Sequence, residues 1–261
     1  MICAAVPRLL AVFALALASA PAGVGAAPKP VMLTAAPARI ALTGSTRAAV
    51  RVTNSGANRV VVDVSRAGFA LSLRGRPRIV GAGATRPAAS WLKLQPMRLS
   101  LPPRTSASLL VSAVVPRDAE PGDHDALVLL TTHPRPDARV AVRVRLGVTV
   151  VVRAPGKVVR RLELLRLRLA RRGHRRVLEL RMANRGNVTE TLVGVRATVS
   201  RPRARRRLAM LLAPRRELRP HTQGIVEFRL RRRLRGAVTA HVVVPAAGGR
   251  SAIRRTYRIR L

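Results

Sequence analysis

Three short motifs occur twice in this chain, in the same order, and they constrain its fold more than any other feature. Asn-x-Gly stands at Asn54-Ser55-Gly56 and again at Asn184-Arg185-Gly186. Leu-x-Pro-x-Thr stands at Leu101-Pro102-Pro103-Arg104-Thr105 and again at Leu218-Arg219-Pro220-His221-Thr222. Gly-x-x-x-Ala-x-Val stands at Gly122, Ala126 and Val128 and again at Gly236, Ala240 and Val242. The separations are 130, 117 and 114 positions, so the first copy carries about sixteen extra residues, mainly between Gly68 and Pro96, with Trp91 among them. A repeat of ordered anchors at this spacing predicts two copies of one fold. The division is expected at Ala154-Pro155-Gly156, giving domains over 27–153 and 154–261.

Each copy reads as β-strands. Ala49-Val50-Arg51-Val52, Arg139 to Leu146, Leu178 to Met182 and Tyr257 to Leu261 alternate an apolar residue with a polar or small one. Period-two alternation marks strands with one buried and one wet face, and arginine on the wet face discourages edge pairing. Turn signals punctuate the runs at Asn54-Ser55-Gly56, Pro102-Pro103, Pro121-Gly122, Pro134-Arg135-Pro136, Asn184-Arg185-Gly186 and Ala247-Gly248-Gly249. The fold class expected is all-β, with two immunoglobulin-like antiparallel β-sandwich domains in tandem. Val158 to Leu169 is rich in Leu and Arg and imitates a helix, but its leucines change parity between Leu164 and Leu165. A bulged strand gives that shift. Asn-x-Gly is expected to supply a positive φ in a tight turn. Pro121-Gly122 suits the centre of a type II turn.

Residues 1–26 have the pattern of a secretory signal: Arg8, an apolar run from Leu9 to Ala20, then small residues ending at Ala26. Cleavage near Ala26 places the rest of the chain outside the cytoplasm. Cys3 lies within that segment, so the remainder has no cysteine for a disulfide, a thiolate metal site or a nucleophile. No later stretch is long and apolar enough to span a bilayer as a helix.

The segments Val52-Thr53-Asn54-Ser55-Gly56, Trp91 to Pro96, Leu101-Pro102-Pro103 and Val115 to His124, with Leu180 to Asn187 in the second copy, resemble bacterial extracytoplasmic Ig-like modules. They are similar to the cell-surface family whose members interact with WxL proteins. That resemblance implies two Ig-like domains after a signal peptide, the first binding peptidoglycan-associated partners. The family's C-terminal membrane helix and basic tail have no counterpart here. The first copy also resembles, more distantly, the N-terminal domain of periplasmic pilus chaperones.

Catalytic chemistry finds little support. The eleven carboxylate side chains form no catalytic pair by spacing, and there is no Gly-x-Ser-x-Gly elbow. Gly81-Ala82-Gly83 opens like a dinucleotide loop, but Arg86 stands where the third glycine is needed. Asp123-His124-Asp125 with His133 has metal-binding residue types; a polar turn is the favoured reading, because a hard-oxygen site needs more acidic ligands. Trp91 reads first as a core anchor and second as a sugar platform. No catalytic, metal or cofactor site is expected.

Charge dominates what remains. Fifty Lys and Arg against eleven Asp and Glu give a formal net charge of +39. Only Lys29, Lys93 and Lys157 are lysine. Residues 154–261 hold 30 basic and 5 acidic side chains, and residues 1–153 hold 20 and 6. The candidate polyanion-binding residues are Arg203, Arg205, Arg206, Arg207, Arg215, Arg216, Arg231, Arg232 and Arg233, on loops between strands. The competing explanation is a GC-rich codon bias. Nucleic acid is disfavoured, because no aromatic residue is interleaved with these clusters for base stacking. The partners expected are an envelope or cell-surface protein and an anionic wall polymer or anionic lipid surface. The leading function is a non-enzymatic envelope interaction module. The alternatives are a periplasmic-type chaperone that lends the strand Ala138 to Val152 to a subunit, and a secreted nucleic-acid binder.

Overall fold

The computed structural model describes residues 31–80, 88–133, 142–202, 207–230, 234–245 and 251–261. The expected leader with Cys3, Gly81 to Arg86, the turn at 134–136, the run from Arg139 to Ala141, Arg203, Arg205, Arg206, Arg231 to Arg233, and the turn at 247–249 lie outside the described residues.

Strands account for nearly all the regular structure. In the first half these are β1 (Leu33–Ala36), β2 (Arg39–Thr43), β3 (Arg47–Asn54), β4 (Val60–Leu71), β5 (Pro77–Val80), β6 (Leu92–Gln95), β7 (Arg98–Leu101), β8 (Thr105–Ala113), β9 (Gly122–Thr132) and β10 (Arg145–Ala154), with a single 3-10 turn at Ala88–Trp91. The second half has β11 (Leu162–Arg172), β12 (Arg175–Asn184), β13 (Glu190–Leu192), β14 (Arg196–Ser200), β15 (Arg207–Leu212), β16 (Arg216–Leu218), β17 (Gln223–Arg229), β18 (Ala237–Val244) and β19 (Ile253–Arg260).

In the first half, one sheet runs β1-β3-β8-β6 and faces a second, β2-β10-β9-β4-β5, with β7 also on β4. Alternate residues of both sheets meet in one core that includes Val50, Val52, Val62, Leu109, Val128 and Val150. In the second half, β11-β12-β17 faces β15-β14-β18-β19 around Leu178, Leu180, Met182, Phe228, Val238 and Val242. Both are immunoglobulin-like β-sandwiches with antiparallel pairing, apart from one parallel ladder that the alternation did not foretell. It joins β2 to β10 between Arg39 and Thr43 and between Thr149 and Arg153.

The first two repeated motifs meet in space, the same way in both halves. The Asn54 side-chain amide donates to the carbonyl of Leu101, the first residue of the second motif, at 3.1 Å, and Asn184 does the same to Leu218 at 3.1 Å. Gly56 N–H donates to Asn54 Oδ1 and Gly186 N–H donates to Asn184 Oδ1. Thr105 and Thr222 donate their hydroxyls back to the carbonyls of Pro102 and Arg219. The expected role of the Asn-x-Gly glycines is corrected: neither Gly56 nor Gly186 has a positive φ. The left-handed residues are instead Arg104 (φ 58°) and His221 (φ 54°), at equivalent places in the second motif. Gly186 is needed for close approach, since a Cβ there would lie 2.2 Å from the Val159 carbonyl oxygen. What the motif provides is a buried amide that ties two turns together.

The segment that imitates a helix is strand β11, and its register shifts between Leu164 and Arg166, where the leucine parity breaks. Trp91 is half-buried against the first core, its ring 4.5 Å from that of His124.

Candidate functional site

The two halves touch at three places that frame a cleft. The first is the chain junction. Gly122, with φ 119°, brings its backbone against Asn187, and Asp123 N–H donates to the Asn187 carbonyl at 2.8 Å. Asp123 accepts from Arg153 Nε at 2.7 Å and from Thr189 N–H at 2.7 Å. Burial pushes the Asp123 carboxyl up, but these two donors outweigh it, and the group sits below the ordinary carboxylate range. Asn187 completes the junction, donating to the carbonyls of Pro121 and Lys157 and accepting from Val159 N–H.

The second contact is the hairpin between β4 and β5, within the extra segment of the first copy. Its tip lies on the β12-β17 face. The Leu73 carbonyl accepts from Ile225 N–H at 2.7 Å and from Arg216 at 2.7 Å. Arg74 reaches Glu179 at 3.1 Å and Glu227 at 3.3 Å. Glu179 is only 2% exposed and is ringed by Arg74, Arg168 and Arg172. A carboxylate this buried is tolerable because several guanidinium groups share it.

The third contact is Asp125 on β9 with Arg219, at 2.6 Å. Arg219 is itself 5% exposed and lies 5.3 Å above the Phe69 ring. Arg39 pairs with Glu217 beside it. Burial raises the Asp125 carboxyl to about 6, with Arg219 offsetting only part of that cost. A group whose proton is held more tightly in the folded state adds stability at low pH. For Asp125 that contribution is complete below about pH 4 and is lost as pH rises through about 6. Asp125→Asn removes it. The variant's stability relative to the parent is therefore expected to climb between pH 4 and pH 7, by an amount on the order of 3 kcal/mol at most. Melts at three pH values measure it, and a difference that stays flat with pH would count against this assignment.

Between these contacts lies a cleft of about 780 Å³ lined by seven arginines and one carboxylate, Glu217. The floor is half apolar, with Phe69, Leu71, Leu127 and Leu129. Nε of both Arg216 and Arg219 is buried with no protein partner.

One wall is β10, and its edge is only half covered. β2 pairs with β10 from Thr149 onward, and Thr149 N–H donates to the Ala38 carbonyl at 3.0 Å. Strand geometry has a period of two, so the backbone groups of Gly147 and Arg145 face the same side as those of Thr149. β2 has no residue there to pair with them. The other side of β10 is paired with β9 along its whole length. Among the described residues the open stretch is thus Arg145 to Val148, with Arg145 and Gly147 lining the cleft.

Of the arginines chosen from the sequence, three fall on described residues. Arg207 is exposed at the start of β15. Arg215 and Arg216 line the cleft, and Arg216 is part-buried and tied to the first half through Leu73. Burial lowers its affinity for its proton. It is therefore a built-in interface residue and not a member of a loose loop field. Sequence reasoning did not foresee the cleft residues Arg39, Arg74 and Arg219, which sit singly in the chain. Asp123, His124 and Asp125 alternate along β9 into three different environments: Asp123 meets Arg153, His124 meets the Glu120 carbonyl and Asp125 meets Arg219. Among the described residues no cluster of three metal-ligating side chains occurs.

No family model matches the sequence. The curated proteins likewise give no match. Solved structures do match. A chain of a chaperone–tip adhesin complex of CFA/I fimbriae biogenesis is 11% identical, with a TM-score of 0.52 over 86% of this chain and 98% of that one. The class 5 fimbriae chaperone CfaA is 10% identical, with a TM-score of 0.50 over 86% and 98%. This chain therefore has the two-domain all-β fold of the periplasmic pilus chaperones. The WxL-protein resemblance gains no support, since no family model matches and the solved structures reported are of fimbrial chaperone systems. Among the described residues no helix is long and apolar enough to cross a membrane.

Proposed function

We propose that this protein is an extracytoplasmic, non-enzymatic chaperone-like module that lends the open edge of β10 to an extended segment of another protein. The observation that carries the reading is the half-covered strand itself. Among the described residues, the backbone groups of Arg145 and Gly147 on the side away from β9 have no strand partner, at the mouth of a basic, apolar-floored cleft. An extended segment added there completes the sheet with main-chain hydrogen bonds, and alternate side chains reach the apolar floor. A carboxylate on that segment is favoured by the arginines around it, two of which keep a buried Nε free. The likeness in fold to pilus chaperones supports this reading over a general envelope-binding role. Placement outside the cytoplasm, cleavage near Ala26 and the division at Ala154 belong to the same proposal.

Photo-cross-linking from position 147 in native envelope fractions tests it. The expected product joins the chain to a subunit with an incomplete sandwich and an alternating apolar strand. Products lacking any such subunit would sink the proposal. Arg145→Pro provides the second arm. Arg145 N–H faces the open side, so proline there removes a donor to the partner without removing a bond to β9. Arg145→Pro is expected to weaken partner capture by about tenfold or more while Arg145→Ser, which loses only the charge, weakens it far less. Equal effects of the two would mean that charge and not strand addition holds the partner.

A further inference from the structure

The second half segregates its charge. All five of its carboxylates are paired with arginine. Glu179, Glu217 and Glu227 face the first half, and Glu163 and Glu190 pair near the chain junction with Arg185 and Arg160. The strand register places the opposite end of this sandwich at the β11–β12 turn, the start of β18 and the end of β19. There the chain forms a concave site of about 860 Å³ lined by Arg171, His174, Arg176, Arg235 and Arg260, with no carboxylate side chain in its wall.

Arg171, Arg235 and Arg260 are exposed around the concavity, and Arg176 is part-buried. Arg176 is held by its bond to the Leu234 carbonyl at 2.8 Å. Arg171 stands directly across the ladder from Arg176, and Arg172 from Arg175. Like charges in facing positions weaken a hairpin; Arg172 is paired with Glu179 and Glu227, so the standing cost is the Arg171–Arg176 pair. An anion in the concavity reverses the sign of that term. Among the described residues Arg171, Arg176, Arg235 and Arg260 have no ion-pair partner, so their guanidinium forks remain available. A volume of this size suits a compact ligand, not a flat surface.

We propose that this end of the second half binds a compact, multiply phosphorylated anion gripped by Arg171, Arg176, Arg235 and Arg260. Several guanidinium groups converging on one concavity match clustered phosphate oxygens better than a lone carboxylate. The site lies at the far end from the cleft, so it stands or falls independently of strand lending. Arg235 belongs to one of the arginine runs of the sequence, whereas Arg171, Arg176 and Arg260 stand outside the runs chosen there.

The experiment titrates the full chain with tripolyphosphate by calorimetry at low salt, for the parent, for Arg171→Ser/Arg260→Ser, and for Arg47→Ser/Arg51→Ser. The last pair removes the same charge from exposed positions of β3. The site variant is expected to lose about tenfold or more in affinity, and the control less than about twofold. Equal losses, or no binding by the parent, would overturn the proposal in favour of a diffuse field. Arg235→Ser, outside any strand, keeps the test valid if the double variant does not fold. Sedimentation with anionic and neutral phospholipid vesicles distinguishes the source. If the site variant loses vesicle binding in parallel, the phosphates belong to a lipid headgroup. If only tripolyphosphate binding falls, they belong to a soluble or polymeric phosphate.

Discussion

Asn184→Ala is expected to destabilise the second sandwich by roughly 3–5 kcal/mol, enough to unfold much of it at physiological temperature. Asn184 is fully buried. Its amide donates to the carbonyls of Val188 at 2.8 Å and Leu218 at 3.1 Å, and its Oδ1 accepts from Gly186 N–H at 2.9 Å. Alanine removes the side-chain partner of these three buried backbone groups. Asn54→Ala is expected to cost the first sandwich a similar amount, since Asn54 bonds the carbonyls of Asn58, Leu101 and Pro102 and the N–H of Gly56. Denaturant unfolding, with hydrogen exchange to assign the loss to one half, measures both. A cost below about 1 kcal/mol for either would mean that the repeated asparagine is not the tie between its turns.

Gly122→Ala has the second large effect, and it acts on the junction. A Cβ at Gly122 would lie 2.1 Å from the Asn187 carbonyl oxygen and 2.8 Å from Asn187 Cβ, and φ is 119°, where an L side chain is strained. Both obstacles are backbone or short side chain, so neither can swing away. The bond from Asp123 N–H to the Asn187 carbonyl must then break, and with it the geometry that sets Thr189 on Asp123. A loss of roughly 4 kcal/mol or more in the stability of the junction is expected. Gly44→Ala is the matched control: φ is 61° but nothing lies within 4 Å of the new Cβ. It should cost only about 1 kcal/mol, the penalty for the backbone alone. Small-angle scattering and melting curves compare the two. Equal behaviour would show that positive φ and not close approach is what Gly122 provides. If the junction also sets the cleft, Gly122→Ala should reduce partner capture while the β10 edge stays intact.

Particular residues explain what was legible. The parity break at Leu164-Leu165 foretold the bulge in β11, because side-chain alternation is a local consequence of strand geometry. The paired motifs foretold two copies, because a turn of five residues carries its own hydrogen-bond logic wherever it occurs. Arg216 does not stand on a loop, as its run suggested, but opens β16. In sequence it is one of two adjacent charges before a strand; in the structure it holds the Leu73 carbonyl across the domain boundary. Nothing around Arg39 set it apart from the other arginines of so basic a chain, and Arg219, though inside the second repeated motif, fills a position of that motif where the first copy has Pro102.

The sequence alone therefore determined the strands, the two sandwiches and the turns that close them, since these rest on contacts between near neighbours and on a pattern of period two. Tertiary structure alone decided the cleft and the far basic site. Arg74 meets Glu179 across 105 positions, and Arg219 meets Asp125 across 94. Such pairs depend on how one sandwich docks on the other. The docking is set by the β4–β5 hairpin and by the close approach at Gly122, whose partners lie far away in the chain. Charge that looks uniform along the sequence becomes directional only when several of the few carboxylates are drawn to that interface, which leaves the opposite end of the second sandwich with arginines that have no ion-pair partner among the described residues.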